Sequence, residues 1–142
     1  MEANVTGFIR KWNGRTLQDD GSSVSKEFHS FQVAFINAMR KIATALGGEV
    51  VGQSYGHYDM SGFIRRGDKY VYFSYSNGCC RGGRTFVNLK EQWDSCGCNS
   101  PLLIRTAADS KDFRGGYNHF ASFEKCQELI DRLLNTEHRK AW

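Results

Sequence analysis

Apolar residues recur along this chain in two rhythms, and the change from one to the other marks its elements. From Ser25 onward, Phe28, Phe31, Phe35, Met39, Ile42 and Leu46 fall at spacings of three and four. That spacing stacks them in one stripe of an amphipathic helix. Ser25 is placed to cap the start, and Gly47-Gly48 to end the helix with a left-handed residue. About twenty helical residues span about 30 Å, the width of a small domain, so this segment predicts the main core helix.

The period then falls to two. EVVGQSY, from Glu49, reads as a strand interrupted by Gly52, and HYDMSGFIRRGDKYVYFSYS, from His57, as two strands hinged at Gly67-Asp68. A glycine opening a two-residue turn suits a type II′ hairpin, and such a turn fixes the register. It sets Arg65 opposite Tyr70, Ile64 opposite Val71, Phe63 opposite Tyr72, Gly62 opposite Phe73 and Met60 opposite Tyr75. Alternation then collects Met60, Ile64, Val71, Phe73 and Tyr75 on a core face. His57, Asp59, Ser61, Phe63, Arg65, Tyr70, Tyr72 and Ser74 form the other face, polar with aromatic patches.

Beyond the hairpin, NGCCRGGR is a glycine-rich connection, TFVNL has strand composition, and LLIRT, from Leu102, reads as a short buried strand. A final helix is expected from Ser122 as cap, with Phe123, Cys126, Ile130, Leu133 and Leu134 as its stripe. The tail NTEHRKAW has no periodicity and is expected to fray. Residues 1–24 are the least defined: NVTGFIRKW is open to a short strand, and NGRTLQDDGSS is loop chemistry. The order predicts one α+β domain over residues 1–142, a two-layer arrangement with a mostly antiparallel sheet packed against one long and one shorter helix. With 142 residues and a 40% hydrophobic fraction, the chain has enough apolar surface for a core without staples.

Composition narrows the function classes. No run of eighteen apolar residues occurs, and MEANVTGFIRKWNG has no apolar core of signal-peptide length. Neither a membrane partner nor secretion by that route is expected, and the cytoplasm is the default location, with the five cysteines reduced. The net charge of +4 is concentrated. Arg65, Arg66, Lys69, Arg81, Arg84 and Lys90 lie close together in sequence, opposed there only by Asp68. This favours an anionic partner, nucleic acid or an acidic protein surface, over a merely solvated basic face.

Three stretches invite chemistry. Cys79-Cys80 and Cys96-Gly97-Cys98 superficially resemble two halves of a zinc site. Zinc-binding pairs, however, are usually separated by two to four residues so that both sulfurs converge, and no metal is expected here. Cys126 falls on the last helix's apolar stripe. On the hairpin, Phe63, Arg65, Tyr70 and Tyr72 would make a stacking platform for unpaired bases, with Arg66, Lys69, Arg81 and Arg84 near phosphates. The competing reading is that another element covers this face. His57, Asp59 and Ser61 alternate on it too, but residues two apart on a strand stand about 6.5 Å apart, too far for a catalytic relay. GxSxG, Walker A and HExxH patterns are absent, so no catalytic residue and no cofactor are assigned.

The third stretch, LLIRTAADSKDFRGGYNHF, runs from a strand into a loop dense in hydrogen-bonding groups. Arg105, Lys111 and Arg114 are placed to meet an anion, with Asp112, Gly115, Gly116, Asn118 and His119 completing a candidate binding loop. The structural alternative gives the aspartates turn-capping roles, the glycines positive φ angles, and Asn118 or His119 the task of tying the loop down.

At SGFIRRGDKYVYFSYS and LLIRTAADSKDFRGGYNHF the chain resembles short uncharacterised proteins of bacteriophages and conjugative elements of gut bacteria. The resemblance extends in outline over residues 26–134, and the segment from Cys79 to Cys98 is not part of it. No activity and no site residue follow from it. It implies a bacterial-host cytoplasm and a context in which small proteins often inhibit host defence, anti-CRISPR proteins among them. The leading expectation is therefore a non-enzymatic binding protein acting on a host defence protein or its nucleic acid. The alternative is a nucleotide-binding or nucleotide-handling protein that uses Arg105, Asp112, Arg114, Asn118 and His119.

Overall fold

The long apolar stripe and the two-period segments find each other across a sheet. A computed structural model of the chain describes residues 3–18, 26–55, 59–76, 84–87, 89 and 102–140. In order these form α1 (Ala3–Trp12), β1 (Thr16–Gln18), α2 (Lys26–Ala45), β2 (Glu49–Tyr55), β3 (Asp59–Arg66), β4 (Lys69–Ser76), β5 (Arg84–Phe86), β6 (Leu102–Ala107), β7 (His119–Ala121) and α3 (Cys126–Leu134). Strands β2-β3-β4-β6-β7 make one antiparallel sheet, and β1 and β5 pair separately. The fold is α+β, with helices packed on one face of the sheet.

The β3–β4 register agrees with the one the turn implied, from Arg66 opposite Lys69 to Asp59 opposite Ser76. Gly67 has φ 63°, and no non-glycine residue among those described has a positive φ. That is the type II′ pattern, with glycine at the first turn position. Met60, Ile64, Val71, Phe73 and Tyr75 are buried with the α2 stripe of Phe28, Phe31, Phe35, Met39 and Ile42. Phe35 sits at the centre, its ring centroid 5.4 Å from those of Tyr75 and Phe123 and 6.1 Å from that of Phe73. In β2, pairing with β3 shifts register between Val51 and Ser54, where Gly52 interrupts the strand.

Three expectations are corrected. NVTGFIRKW is helical, not extended: Val5, Ile9 and Trp12 recur at helical spacing and are buried. Ser122 does not cap α3, which begins at Cys126 after a turn; its N-cap position, Lys125, makes no side-chain capping bond. Phe123 stays buried because that turn anchors it, its N–H donating to the Leu89 carbonyl at 2.8 Å. The tail is docked on the sheet through one side chain. His138 Nδ1 lies 2.9 Å from the Thr106 hydroxyl of β6. A side chain that finds a partner across the sheet holds down a segment that has no periodicity of its own.

Candidate functional site

The outer face of the sheet, opposite the helices, has its own small apolar cluster: Phe63, Tyr72 and Ala107, flanked by Val51, Tyr70 and Leu103. The loop after β6 folds back over it. Phe113 caps the pair, its ring centroid 5.3 Å from Phe63 and 6.0 Å from Tyr72, while Phe63 and Tyr72 are themselves 5.2 Å apart. Arg105 lies across Tyr72, its guanidinium carbon 4.7 Å from the ring centroid. The stacking platform expected on the hairpin is therefore closed: Phe63 is fully buried and Tyr72 is 8% exposed. The covering ring lies 41 residues beyond Tyr72 and 50 beyond Phe63 in the chain, and no local pattern on the hairpin signals it.

The basic stretch is also partly engaged. Arg66 donates to the Leu46 carbonyl at 3.0 Å, to Asp131 Oδ1 at 3.2 Å and to Asn135 Oδ1 at 2.9 Å. It closes the C-terminal end of α2 and ties it to α3. Arg65 pairs with Glu49, its cross-strand neighbour, at 3.0 Å. Lys69 and Tyr70 are half-buried beside a 260 Å³ cavity shared with Thr106 and His138. Arg84 lies on β5 in the separate two-stranded sheet. Arg81, Lys90, His57 and the cysteines at 79, 80, 96 and 98 lie outside the described residues. Cys126 is buried in α3.

The loop's hydrogen-bonding groups are turned largely on the loop itself. Asp109 Oδ1 accepts the Lys111 N–H at 2.8 Å. Asp112 accepts the Ala108 N–H at 2.8 Å with one carboxylate oxygen and the Gly115 N–H at 2.7 Å with the other. The Gly116 N–H donates to the Thr106 carbonyl at 2.8 Å. Gly115 has φ 47°, and a Cβ there would come within 2.6 Å of the same carbonyl, so both backbone angle and space require glycine. Arg105 donates to the Phe113 carbonyl at 2.8 Å and to Asn118 Oδ1 at 3.3 Å. Burial opposes the charge on Asp112. The N–H groups of Ala108, Gly115 and Arg114, together with His138, outweigh it and hold the carboxyl below its usual range.

These side chains do not converge on one pocket. Arg105 and Asn118 are joined on the outer face. His119 pairs in register with Ile104, on the helix side of β7. Burial first, and then the positive Arg132, push its imidazole below the ordinary histidine range. Lys111 and Arg114 are exposed at the loop's rim. Thr106, His138 and Asp112 form a hydroxyl–imidazole–carboxylate row, with His138 Nε2 3.6 Å from Asp112 Oδ2. The hydroxyl is pressed against Gly116, in a residue only 8% exposed, and the carboxylate already receives two backbone N–H groups. His138 is tied to Thr106 and only faces Asp112, its buried Nε2 making no hydrogen bond there, and the row lacks the access a nucleophile needs.

Besides Lys111 and Arg114, the loop and the start of β7 send aromatic rings outward. Phe113 is 55% exposed, Tyr117 61% and Phe120 42%; among the described residues, Val33 alone joins them as an exposed large hydrophobic. Sequence reasoning passed over these three because it followed the polar residues around them. The available signal was rings placed in a glycine- and aspartate-rich segment, off both apolar rhythms. No family model, curated protein or solved structure matches the chain.

Proposed function

We propose that this chain is a non-enzymatic binding protein of a phage or mobile element, an inhibitor of bacterial defence of the anti-CRISPR type. In this reading it takes hold of a protein of the defence machinery through the loop from Ala108 to Phe120. The observation that carries it is the loop's construction: carboxylates, glycines and Arg105 hold it in shape from within, while Phe113, Tyr117 and Phe120 remain at the surface. Aromatic side chains and arginine are the residues enriched at the centres of protein interfaces, and a pre-ordered loop lowers the entropy cost of docking. Lys111 and Arg114 at the rim suit a partner with acidic residues around an apolar patch. The phage context rests on the sequence resemblance alone.

A protein partner fits better than nucleic acid because two cations of the basic stretch are engaged, Arg66 within the fold and Arg65 with Glu49, and because Phe63 and Tyr72 are covered. The test is phage protection in plaque assays against hosts carrying defined defence systems, followed by capture of the affected effector with purified protein. Phe113→Ala and Tyr117→Ala should each weaken capture about tenfold or more, as interface anchors do, while leaving the fold intact. Protection by the variants equal to the parent's would remove the loop from the reading. Tight binding to single-stranded oligonucleotides, with a steep salt dependence, would replace the protein partner by nucleic acid.

A further inference from the structure

After α3 the chain crosses the end of the sheet, and this segment touches the aromatic loop from behind. His138 reaches β6 through the Thr106 hydroxyl at 2.9 Å and faces Asp112 Oδ2 at 3.6 Å; the side chains of His138 and Asp112 are 22% and 20% exposed. One residue on, the Arg139 carbonyl lies against Gly116, where a Cβ would approach it to 3.0 Å. The segment thus contacts the loop on both sides of Gly115.

Asn135 and Thr136 are tied to Arg66 and to the last turn of α3, whereas the rest of the segment is exposed apart from the half-buried His138. Cavities of 260 Å³ and 350 Å³ border the segment, and Thr106, Leu133, Thr136 and Glu137 line both. Residues 137–140 bury little apolar surface, Glu137, Arg139 and Lys140 being exposed, and so have few contacts to hold them. Segments of this kind open locally at a free energy well below that of global unfolding.

We propose that residues 137–140 are a detachable strap that positions the aromatic loop. This rests on reading that loop as the binding element. Docked, His138 fixes the carboxylate of Asp112 between the Ala108 and Gly115 N–H groups, and so fixes the place of Phe113 next in the chain. Released, the strap frees that carboxylate, joins the two cavities into an open cleft and leaves the loop without its organiser. Capture or cleavage of this segment would then lower the loop's affinity for its partner without touching the aromatic side chains. His138 is a positioning residue in this scheme.

Amide hydrogen exchange, followed residue by residue by NMR on the full chain, tests the strap without any partner. In His138→Ala, the Ala108 and Gly115 amides should exchange about tenfold faster or more, the effect of weakening a hydrogen bond to a charged group. The Val71 and Phe73 amides, in the central strand, should stay within about twofold of the parent. Thr106→Val should reproduce the loop effect, and Thr106→Ser, which keeps the hydroxyl, should not. If His138→Ala accelerates central and loop amides alike, Thr106→Val decides the matter. Loop exchange at the parent rate in Thr106→Val, or in a cleanly folded His138→Ala, would overturn the strap. A loosened loop with unchanged capture of the partner would instead remove the loop as the binding element.

Discussion

Asp112 organises the loop with both carboxylate oxygens, so its protonation state has a structural consequence. Its native pKa lies below the usual range, so its stabilising effect is complete above the unfolded value of about 3.9 and is lost as pH falls through the lower native value. Protection of the Ala108 and Gly115 amides should therefore begin to decline below about pH 3.9 and be lost only as pH falls through the lower native value, and Asp112→Asn should lack that acid limb. His119 titrates with the same sign for a different reason. Burial and Arg132 keep it neutral in the fold, so the stability it contributes is complete above about pH 6.5 and lost as pH falls through its lower native value. Urea unfolding between pH 7 and pH 5 should show this fall in the parent and a flatter profile in His119→Asn; parallel profiles would contradict it. Adjacent arginines should part company as well. Arg66→Ala should cost about 1–3 kcal/mol by thermal or urea unfolding, since it leaves carbonyl and carboxylate groups without their donor. Arg65→Ala should stay within about 1 kcal/mol, because its pair with Glu49 is exposed.

Among elements, the hairpin and the loop that covers it are complementary. The hairpin supplies Phe63 and Tyr72 as an apolar seat, and the loop supplies Phe113 as the lid. Phe63→Ala should cost about 3–5 kcal/mol, the range for emptying a buried aromatic site. Phe113→Ala should cost far less in stability, since that ring is 55% exposed, and its main effect should be on capture of the partner. A double-mutant cycle between the two positions would measure the ring contact itself, for which about 0.5–1.5 kcal/mol is usual. Denaturant titration of the four proteins yields that number directly.

Across the whole molecule, elements set by near neighbours were legible in the sequence. The α2 stripe and the β3–β4 register follow from spacings of three and four or of two, together with a glycine at a two-residue turn, and the apolar run of β6 marks it as a strand. These are properties of consecutive residues, and tertiary packing had only to accept them. The first helix was equally local, but its ten residues sit between loop-forming stretches that hide its Val5, Ile9, Trp12 spacing. The candidate site was legible in composition and illegible in arrangement. The Asp109–Asn118 run declared itself as a loop of hydrogen-bonding groups, and the turn-capping role of its aspartates was among the readings it allowed. That Phe113 would close over Phe63 and Tyr72, that Arg66 would reach across to Asp131, and that His138 would meet Thr106 were decided by tertiary structure alone. Each joins residues distant in the chain, and whether a cation is free or a ring exposed depends on what arrives to cover it. Sequence by itself determined the period of each element and the chemistry it carries; the fold determined which of those groups still face a partner.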